Sequence, residues 1–533
     1  MSKWSAEQLQ VESDTVEYTP EEIRATFAYD SVLLKEGSKV KLTRDDLVFV
    51  TQRKVRKVGL MLVGWGGNNG TTVTGGILAN RNKICWSTKE GKHEPDYFGS
   101  MVMSSVVPVG GDESGNNVNF PITSFVPMAH PNDFVLGGWD LSSSNLAVAM
   151  ERSEVFDYDL QQKLKPLMRE MQPLPTIYDP SFIAANQKDR ATNILSGSKQ
   201  EKLDQVRKQI RDFKAANAVD VVIVLWTANT ERFVKEQAHI HGTADSLLGA
   251  IKRDEAEISP SILFAVAAIL EGSPYINGSP QNTFVPGVVE LAEKKGVFVA
   301  GDDFKSGQTK MKSVLVDFLV AAGIKPTAIV SYNHLGNNDG RNLSSPEQFR
   351  SKEISKSNVI DDVVSSNRIL YKTGEHPDHV VVIKYVPSVR DSKRAMDEYT
   401  SKIFMGGTNT IVMHNTCEDS LLAAPLIIDL TILCELMGRV RISRNGGDEE
   451  MFHPVLSILS YMLKAPIVPP GTPVVNALFT QRSSIINILR AMIGLPSHSE
   501  MYLEHRIPSM IEEVKRKKRR LHSSGTNDQA KSV

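Results

Sequence analysis

The sequence feature that most constrains the fold is a strand, a glycine-rich turn and a helix in immediate succession. The stretch VGLMLVGWGGNNGTTVTGGILANR, from residue 58, gives an apolar strand, a turn over residues 64–70, and a helix with small residues on its packing face. Such a turn binds the pyrophosphate of a dinucleotide, because the helix start offers free N–H groups to an anion. The feature predicts an α/β fold with a dinucleotide at the sheet edge.

The turn departs from the strict G-x-G-x-x-G spacing, since its residues are Gly64, Gly66, Gly67, Asn68, Asn69 and Gly70. A phosphate loop for nucleoside triphosphates is disfavoured, because Thr71 follows Gly70 with no lysine between them to reach the outer phosphates. A dinucleotide is therefore the better ligand for this turn.

Asp140 is the candidate for binding the adenosine ribose, because it ends the strand-like segment FVLGGWD. A long insertion replaces the acidic residue usually found about 20 positions after the turn. A carboxylate at this place favours the free 2′-hydroxyl of NAD over the phosphate of NADP, by charge repulsion. An alternative stays open and is compatible with this role: Asp140 as the N-cap of a helix over residues 142–150.

Two further strands end in polar residues. The segment DVVIVLW, from residue 220, leads into the polar run 227–232, and the strand 297–300 leads into GDDFKSGQTKMKS. In the second segment Ser306 suits an N-cap and Gly307 permits close approach of a ligand, so the helix start predicts an anion site. The alternative is an ordinary surface turn between a strand and a helix.

The composition is that of a globular protein of 533 residues, with 41% hydrophobic and 23% charged residues. Because 61 basic residues balance 62 acidic ones, no whole-chain field favours a nucleic acid or a membrane as partner. Three distant cysteines predict neither a disulfide framework nor a cysteine zinc site. The N-terminus lacks a signal-peptide pattern and no apolar run is expected to span a bilayer, so we expect a cytoplasmic protein.

The second half of the chain is rich in lysines placed near predicted strand ends. Lys352 and Lys356 share one face of a predicted helix, and Lys464 lies in a region, 452–495, that is expected to be mostly helical. Alternating strands between about 378 and 415 predict an inserted antiparallel or mixed sheet of the kind that often makes oligomer contacts. The basic residues after 511 are expected to be a disordered, solvated tail, with an acidic partner or a nuclear signal as alternatives.

A nicotinamide site beside several lysines suggests a particular chemistry. A nicotinamide accepts hydride from a carbinol, and the resulting ketone acidifies the neighbouring C–H. Ammonium groups then stabilise enolate or alkoxide charge, transfer protons or neutralise a substrate phosphate. The carboxylates expected to orient these ammonium groups are Asp303, Asp339, Asp391 and Asp419.

Eight segments in register resemble the inositol-3-phosphate synthase family, also called myo-inositol-1-phosphate synthase, of the eukaryotic type. They are GWGGNNG, LWTANTER, INGSPQNTFVPG, GDDFKSGQTKMKS, SYNHLGNNDG, FRSKEISKS, DSKRAMDEY and HNTCEDSLLAAPLIIDL. The resemblance covers residues 57–500 and implies conversion of D-glucose 6-phosphate to 1D-myo-inositol 3-phosphate, with tightly held NAD and no net redox. It also implies a homotetramer.

The resemblance implies a Rossmann-like NAD-binding domain completed by the C-terminal segment, with an inserted α+β catalytic and tetramerisation domain. The expected ranges are a peripheral segment 1–56, the NAD-binding domain 57–309, the catalytic domain 310–424, a helical completing segment 425–510 and the tail 511–533.

The resemblance also assigns site residues. The expected catalytic residues are Lys352, Lys464, Lys393, Lys356, Asp303, Asp419, Asp391 and Asp339. Lys352 and Lys464 are the candidates for proton transfer and oxyanion stabilisation, with Asp419 and Asp391 orienting them. The expected substrate-binding residues, chiefly for the phosphate, are Ser306, Gly307, Gln308, Thr309, Asn333, Asn337, Lys356 and Lys393.

The expected cofactor contacts begin with the turn residues Gly64, Gly66, Gly67, Asn68, Asn69 and Gly70. They continue with Asp140, Thr176, Ile177, Gln187, Arg190, Thr227, Ala228, Asn229, Thr230, Gly278, Ser279, Asp303, Ser306, Asn337, Asn338, Asp339, Lys352, Asp391 and Asp419. No metal-ligand set stands out, and a cation activator stays open. Two other functions also stay open, a plain NAD-linked dehydrogenase and a non-catalytic NAD-binding sensor.

Overall fold

The computed structural model describes residues 8–112, 116–503 and 506–528. Its strands are β1 (Val16–Tyr18), β2 (Glu22–Leu34), β3 (Val40–Gln52), β4 (Val58–Val63), β5 (Trp86–Thr88), β6 (Gly91–His93), β7 (Val106–Gly111), β8 (Asn117–Pro121), β9 (Val135–Asp140), β10 (Leu174–Pro175), β11 (Val221–Trp226), β12 (Tyr275–Asn277), β13 (Val299–Ala300), β14 (Lys325–Leu335), β15 (Asp378–Tyr385), β16 (Ser392–Lys402), β17 (Thr408–Glu418) and β18 (Val440–Arg444).

Its helices are α1 (Asn68–Asn82), α2 (Met101–Ser104), α3 (Leu146–Ser153), α4 (Tyr158–Arg169), α5 (Lys199–Asn217), α6 (Ala238–His241), α7 (Ala244–Lys252), α8 (Pro260–Leu270), α9 (Pro286–Lys295), α10 (Gly307–Ala321), α11 (Asn338–Asn342), α12 (Pro346–Ser357), α13 (Asp361–Ser366), α14 (Asp419–Met437), α15 (Leu478–Ala491) and α16 (Pro508–Asp528).

The central sheet is parallel, and its strand order is β10-β9-β4-β11-β12-β13. Counted along the chain, this is the order 3-2-1-4-5-6 of a Rossmann fold. Both central strands, β4 and β11, are buried along their whole length, because helices cover both faces of the sheet. The order reverses between β4 and β11, and a crevice therefore opens at the carboxyl ends of these strands. The predicted Rossmann-like fold is confirmed.

The C-terminal segment returns to the edge of this sheet. Leu456 donates its N–H to the carbonyl of Val299 at 2.9 Å, and Val299 donates to the carbonyl of Pro454 at 2.8 Å, so the segment pairs with β13. Further along the segment, Leu463 forms a bridge with Phe304. In addition, β18 pairs with β3 in an antiparallel sheet of order β1-β2-β3-β18. The later chain thus completes the body that the earlier chain begins.

A second sheet, of order β15-β14-β16-β17, lies in the inserted unit. It is mixed, since β14 pairs with β15 in parallel and with β16 antiparallel. One face packs on α10, α12 and α13, where Ile329, Val359 and Tyr399 are buried in a separate hydrophobic cluster. The predicted inserted α+β unit with a mixed sheet is therefore confirmed as a fold class, whereas the exact domain boundaries stay predictions.

Helix α14 corrects one expectation. Its 19 residues are long and apolar enough to cross a membrane by length and composition, contrary to the sequence interpretation that no segment is. However, 89% of its most apolar 18-residue window is buried inside the protein. Residues such as Ile427 and Leu430 belong to the main hydrophobic cluster, and α14 packs against α1. The helix thus forms part of the protein core.

Two further expectations fail near the C-terminus. Residues 452–495 are not mostly helical, because only a 3-10 turn (Ser457–Met462) and α15 are helical there. Prolines at 454, 466, 469, 470 and 473 remove backbone donors and prevent a continuous helix. The tail expected to be disordered from 511 is helical as far as Asp528, and Lys515 and Lys517 pair with Glu512 and Glu513. Residues 529–533 lie outside the described residues.

Candidate active site

A cleft opens at the carboxyl ends of β4, β9 and β11 and continues toward the second sheet. Its lining includes most of the residues expected from the sequence. These are Gly64, Gly67, Asn68, Asn69, Asp140, Thr176, Ile177, Arg190, Thr227, Ala228, Asn229, Gly278, Ser279, Asp303, Ser306, Asn337, Asn338, Asp339, Lys352, Lys356, Lys393, Asp419 and Lys464. One continuous cleft thus joins the predicted dinucleotide turn to the predicted lysine cluster.

The glycine turn brings backbone close to the cleft. Gly64 has φ +89°, and a Cβ there would lie 2.6 Å from Cα of Ala228, on the neighbouring strand end. A Cβ on Gly70 would lie 2.3 Å from the carbonyl of Trp65, so this glycine lets α1 pack on the turn. Gly67 is the N-cap of α1 and makes no side-chain cap. The first N–H groups of α1 therefore point toward the cleft without intrahelical acceptors.

Asp140 is fixed at the end of β9. Its two carboxylate oxygens accept the N–H of Gly66 and the N–H of Ser142, both at 2.9 Å. Burial raises the pKa of Asp140 above its ordinary value. The alternative of a helix cap over residues 142–150 is wrong, because α3 begins at Leu146 and the side chain of Asn145 caps it. Asp140 instead braces the glycine turn and faces the cleft.

Several buried polar atoms of residues that line the cleft have no hydrogen-bond partner among the described residues. Because buried polar atoms are normally hydrogen-bonded, such atoms indicate a site where a ligand supplies the partner. They are Oγ1 of Thr227, Nε1 of Trp226, the hydroxyl of Tyr178 and Nε of Arg190. Together with the start of α1 and the carboxylate of Asp140, these groups fit a dinucleotide. Pyrophosphate would lie at the turn and the ribose would lie near Asp140.

An amide cluster joins the first unit to the second. Oε1 of Gln187 accepts hydrogen bonds from Nδ2 of Asn229 and from Nδ2 of Asn338, each at 3.0 Å. Close by, Asp339 accepts from the N–H of Thr230 at 2.9 Å and from its hydroxyl at 3.1 Å. The loop after β11 is therefore held by the start of α11. Gln187 and Thr230 support the cleft from behind and do not line it.

The centre of the lysine cluster is the buried carboxylate of Asp303. Nζ of Lys352 lies 2.9 Å from its Oδ1, and Nζ of Lys464 lies 2.9 Å from its Oδ2. The hydroxyl of Ser355 donates to Oδ2 at 2.6 Å. Burial alone would raise the pKa of Asp303, but the charges of Lys352 and Lys464 outweigh it and hold this pKa well below its ordinary value. Asp303 is therefore ionised at neutral pH.

The two lysines on Asp303 differ in acidity. Burial alone would lower the pKa of Lys352, but Asp303 and Asp339 outweigh it and raise this pKa, so the group stays charged. Burial lowers the pKa of Lys464 to about 7; Asp303 opposes this shift and the charge of Lys352 adds to it. Lys464 is thus able to exchange a proton near neutral pH, whereas Lys352 supplies a permanent positive charge.

The remaining expected residues form a positively charged end of the cleft. Ser306 is the N-cap residue of α10, as predicted, but its side chain makes no cap bond and faces the cleft. Nζ of Lys356 donates to Oδ1 of Asn333 at 2.8 Å, and Nζ of Lys393 lies 3.6 Å from Asp419. Several expected residues do not line the cleft at either end and lie behind the residues that do. They are Gly66, Gly70, Gly307, Gln308, Thr309, Asn333 and Asp391.

Asp391 does not orient a lysine directly. Its carboxylate accepts the N–H and the hydroxyl of Ser420, at 2.9 and 2.7 Å, and Nδ2 of Asn68 at 3.3 Å. Within the described part of the chain it forms no ion pair with Lys352 or Lys464, so the structure shows no direct contact for the expected orienting role, which stays a prediction. Asp303 contacts both lysines, and Asp391 ties the start of α14 to the glycine turn.

Sequence reasoning did not assign several cleft residues. Tyr178, Asp179, Glu231 and Phe304 line the cleft, and Ser355 bonds Asp303. A signal for Ser355 was present, because it lies three residues after Lys352 and so shares its face of α12. Glu231 lies in the polar run 227–232 that follows β11. In the described ranges, no group of three or more His, Cys, Asp or Glu residues is placed to hold a metal ion.

The fold and the cleft define a Rossmann-type dinucleotide-binding protein whose second unit contributes a lysine and carboxylate site. Comparison with known families gives a more specific assignment, since residues 58–490 match the family model described as myo-inositol-1-phosphate synthase. The chain belongs to this family. The resemblance found in the sequence is confirmed, and NAD is the cofactor that the family match supports.

Known relatives are similar over nearly the whole chain. An inositol-3-phosphate synthase of Dictyostelium discoideum is 58% identical over 511 residues, covering 95% of this chain and 100% of the relative. An inositol-3-phosphate synthase 1 of Populus euphratica is 59% identical over 508 residues, covering 94% and 99%. The crystal structure of inositol-3-phosphate synthase from Caenorhabditis elegans superimposes with a TM-score of 0.92 at 52% identity, covering 94% and 99%.

Replacing Asp140 by alanine is expected to weaken NAD binding about tenfold or more, because hydrogen bonds to a charged group contribute about 1.5–3 kcal/mol each. Isothermal titration calorimetry with NAD measures the change. Asp133→Ala is the matched control, since this exposed residue precedes the same strand. Equal affinities in wild type and Asp140→Ala would remove Asp140 from the cofactor site.

Proposed function

We propose that the protein is an isomerase that converts D-glucose 6-phosphate to 1D-myo-inositol 3-phosphate, the first step of inositol biosynthesis, with NAD and no net redox. C5 is oxidised, C6 loses a proton, C6 closes on the C1 aldehyde, and the ketone is reduced again. One observation carries the proposal: the dinucleotide cleft continues without a break into a buried cluster of Asp303, Lys352 and Lys464.

The substrate phosphate is assigned to the positively charged end of the cleft. Lys356 and Lys393 line it, and the start of α10 adds backbone N–H groups at Ser306 and Gly307. Lys356 is bonded only to neutral oxygen atoms among the described residues, so no carboxylate bonded to its Nζ competes with an anionic ligand. This placement puts the sugar between the phosphate end and Asp303.

The chain's own residues then handle protons and negative charge. NAD supplies the exchange of hydride with a carbinol carbon. Lys352, which stays charged, stabilises negative charge on a substrate oxygen, and Lys464, with a pKa near 7, accepts and returns the proton. Asp303 holds both ammonium groups in place, and Asp419 holds Lys393.

The apolar outer face of the second sheet supports a homotetramer. In a mixed sheet with one face on helices, the other face is expected to be polar if it meets water. Here this face carries five exposed apolar residues, Tyr332, Val380, Val382, Met396 and Val412, with Val412 at 69%, interspersed with exposed polar residues such as Arg394, Glu398 and His414. Large exposed apolar patches mark interaction sites. We assign this face to contacts between copies of the chain.

We also propose a cytoplasmic location, which the three free cysteines support, since reduced thiols are typical of reducing compartments. The balanced charge supports the absence of nucleic acid and membrane partners.

Purified protein, given glucose 6-phosphate and a much smaller amount of NAD, is expected to make many equivalents of inositol phosphate per NAD without accumulating NADH. Absorbance follows NADH, and phosphorus NMR follows the product. NADH rising to match the NAD consumed, with no cyclised product, would indicate a plain dehydrogenase. No change in either signal would indicate a sensor.

In the same assay Lys352→Ala and Lys464→Ala are each expected to lower turnover by at least about a hundred- to a thousandfold, because each removes a charge or proton carrier at the reacting atoms. Arg350→Ala is the matched control, since Arg350 is exposed on the same helix. Near-normal turnover in both lysine variants would contradict the site assignment.

The pH dependence follows from Lys464. Because burial lowers its pKa to about 7, the amine is mostly protonated below pH 7 and mostly neutral above it. A proton acceptor must be neutral, so turnover at saturating substrate is expected to rise with pH up to about 7 and then level off. Lys464→Arg, which keeps the charge at every pH, is expected to lose activity throughout. A wild-type rate that falls as pH rises through 7 would assign Lys464 as an acid.

Charged substitutions on the outer sheet face are expected to break the tetramer. Met396→Glu together with Val412→Glu places like charges in the proposed contact, and multi-angle light scattering measures the mass. Leu42→Glu is the control, since Leu42 is an exposed apolar residue on the β2–β3 hairpin. An unchanged mass in the double variant would exclude this face, and loss of the tetramer only in Leu42→Glu would move the contact to the hairpin.

A further inference from the structure

Lys356 is an unusual member of the lysine cluster because its direct partners are neutral. Its buried ammonium donates to Oδ1 of Asn333 at 2.8 Å and to Oε1 of Gln308 at 3.3 Å. Burial, followed by the charges of Lys393 and Lys464, lowers the pKa of Lys356 well below its ordinary value. The orientation of the Lys356 ammonium and its protonation therefore depend on which atoms Asn333 and Gln308 present to it.

The side chain of Gln308 has two different ends, and only one of them suits Lys356. The amide oxygen accepts from an ammonium, whereas the NH₂ group is a donor and repels it. In the structure Nε2 of Gln308 donates to Oδ1 of Asp397 at 2.5 Å. A carboxylate only accepts, so Asp397 always attracts the NH₂ end of the amide. The oxygen end is consequently presented to Lys356.

Asp397 lies beneath the cluster, on the inner face of β16. It is buried, and its second oxygen accepts from the hydroxyl of Tyr399 at 3.2 Å. Its negative charge also opposes the effect of burial on Lys312, whose pKa burial lowers to about 8. Nζ of Lys312 lies 2.7 Å from Nε2 of His379, which is a neutral partner. The negative charge of Asp397 thus offsets the positive charge of Lys312, whereas the neutral partner His379 does not.

We propose that Asp397 is a positioning residue for the phosphate end of the cleft, acting through Gln308 to aim the ammonium of Lys356 at the anionic group of the substrate. The relay runs from Asp397 to Gln308 to Lys356, and each link is a hydrogen bond between buried groups. The proposal rests on the function proposed above, because it takes the ligand of Lys356 to be the phosphate of glucose 6-phosphate.

The test compares four variants of the full chain: Asp397→Asn, Gln308→Met, the double variant and Tyr399→Phe. KM and kcat for glucose 6-phosphate are measured at saturating NAD, with NAD affinity and circular dichroism as checks of folding. Tyr399→Phe is the matched control, because it removes the other hydrogen bond to Asp397 and keeps both the carboxylate and the packing of the ring.

Asp397→Asn is expected to raise KM about ten- to hundredfold, the range for loss of a hydrogen bond to a charged group, with kcat changed much less. Gln308→Met is expected to raise KM similarly. The KM of the double variant is expected to be no higher than that of the single variant with the higher KM, because both changes break the same relay. Tyr399→Phe is expected to keep KM within about twofold of wild type, since the relay itself remains.

Three results would overturn the proposal: an unchanged KM in Asp397→Asn, losses that multiply in the double variant, or a KM in Tyr399→Phe that rises as far as in Asp397→Asn. If Asp397→Asn fails to fold, Gln308→Met decides, and an unchanged KM there contradicts the relay.

Inorganic phosphate separates this proposal from the proposed function. Phosphate that binds the wild type raises its melting temperature. The phosphate concentration needed for the same rise is expected to be about tenfold higher in Asp397→Asn, even if glucose 6-phosphate proves not to be the substrate. Equal protection of both proteins by phosphate would overturn the relay. Absence of wild-type turnover with glucose 6-phosphate would overturn the proposed function alone.

Discussion

The structure depends on one buried carboxylate that binds two ammonium groups. Asp303 follows β13 at the edge of the Rossmann sheet, Lys352 comes from α12 of the inserted unit, and Lys464 comes from the C-terminal segment. A single buried charge is strongly destabilising, and partners that complete its hydrogen bonds remove most of that cost. The carboxylate is therefore stable only after three distant parts of the chain have come together. The same contact that closes the fold also builds the proposed reactive site.

The charges around Asp303 explain why the cleft is suited to an anion. Asp303 and Asp419 pair with Lys352, Lys464 and Lys393, and Lys356 is left with neutral partners. Among the described residues Lys356 therefore forms no ion pair in a buried place, and burial with the charges of Lys393 and Lys464 lowers its pKa. A phosphate supplies the negative charge that such a cluster lacks, and each lysine becomes easier to keep protonated once it is bound. The lysine end of the cleft is thus suited to the anionic group of a substrate.

Local sequence patterns predicted those parts of the molecule whose structure depends on residues close together in the chain. The strand, glycine turn and helix from residue 58, the strand ending at Asp140 and the shared helix face of Lys352 and Lys356 are all visible in the sequence, because each depends on near neighbours. Contacts between distant segments were not predictable in this way. Nothing near Asp391 indicates that Ser420 and Asn68 would be its partners. Apolar spacing also overestimated helix after residue 452, since it ignores the donors that proline removes.

Helix α14 belongs to both units at once. Its first residue, Asp419, lines the lysine end of the cleft, while its body, including Leu430, fills the core beside α1. Asp391 bonds the first turn of α14 and the glycine turn together. The boundary between the inserted unit and the Rossmann body is therefore crossed by a shared core helix. A recombination event that exchanged this unit for another would also have to replace a core helix, so the two parts are expected to have been inherited as a single evolutionary block.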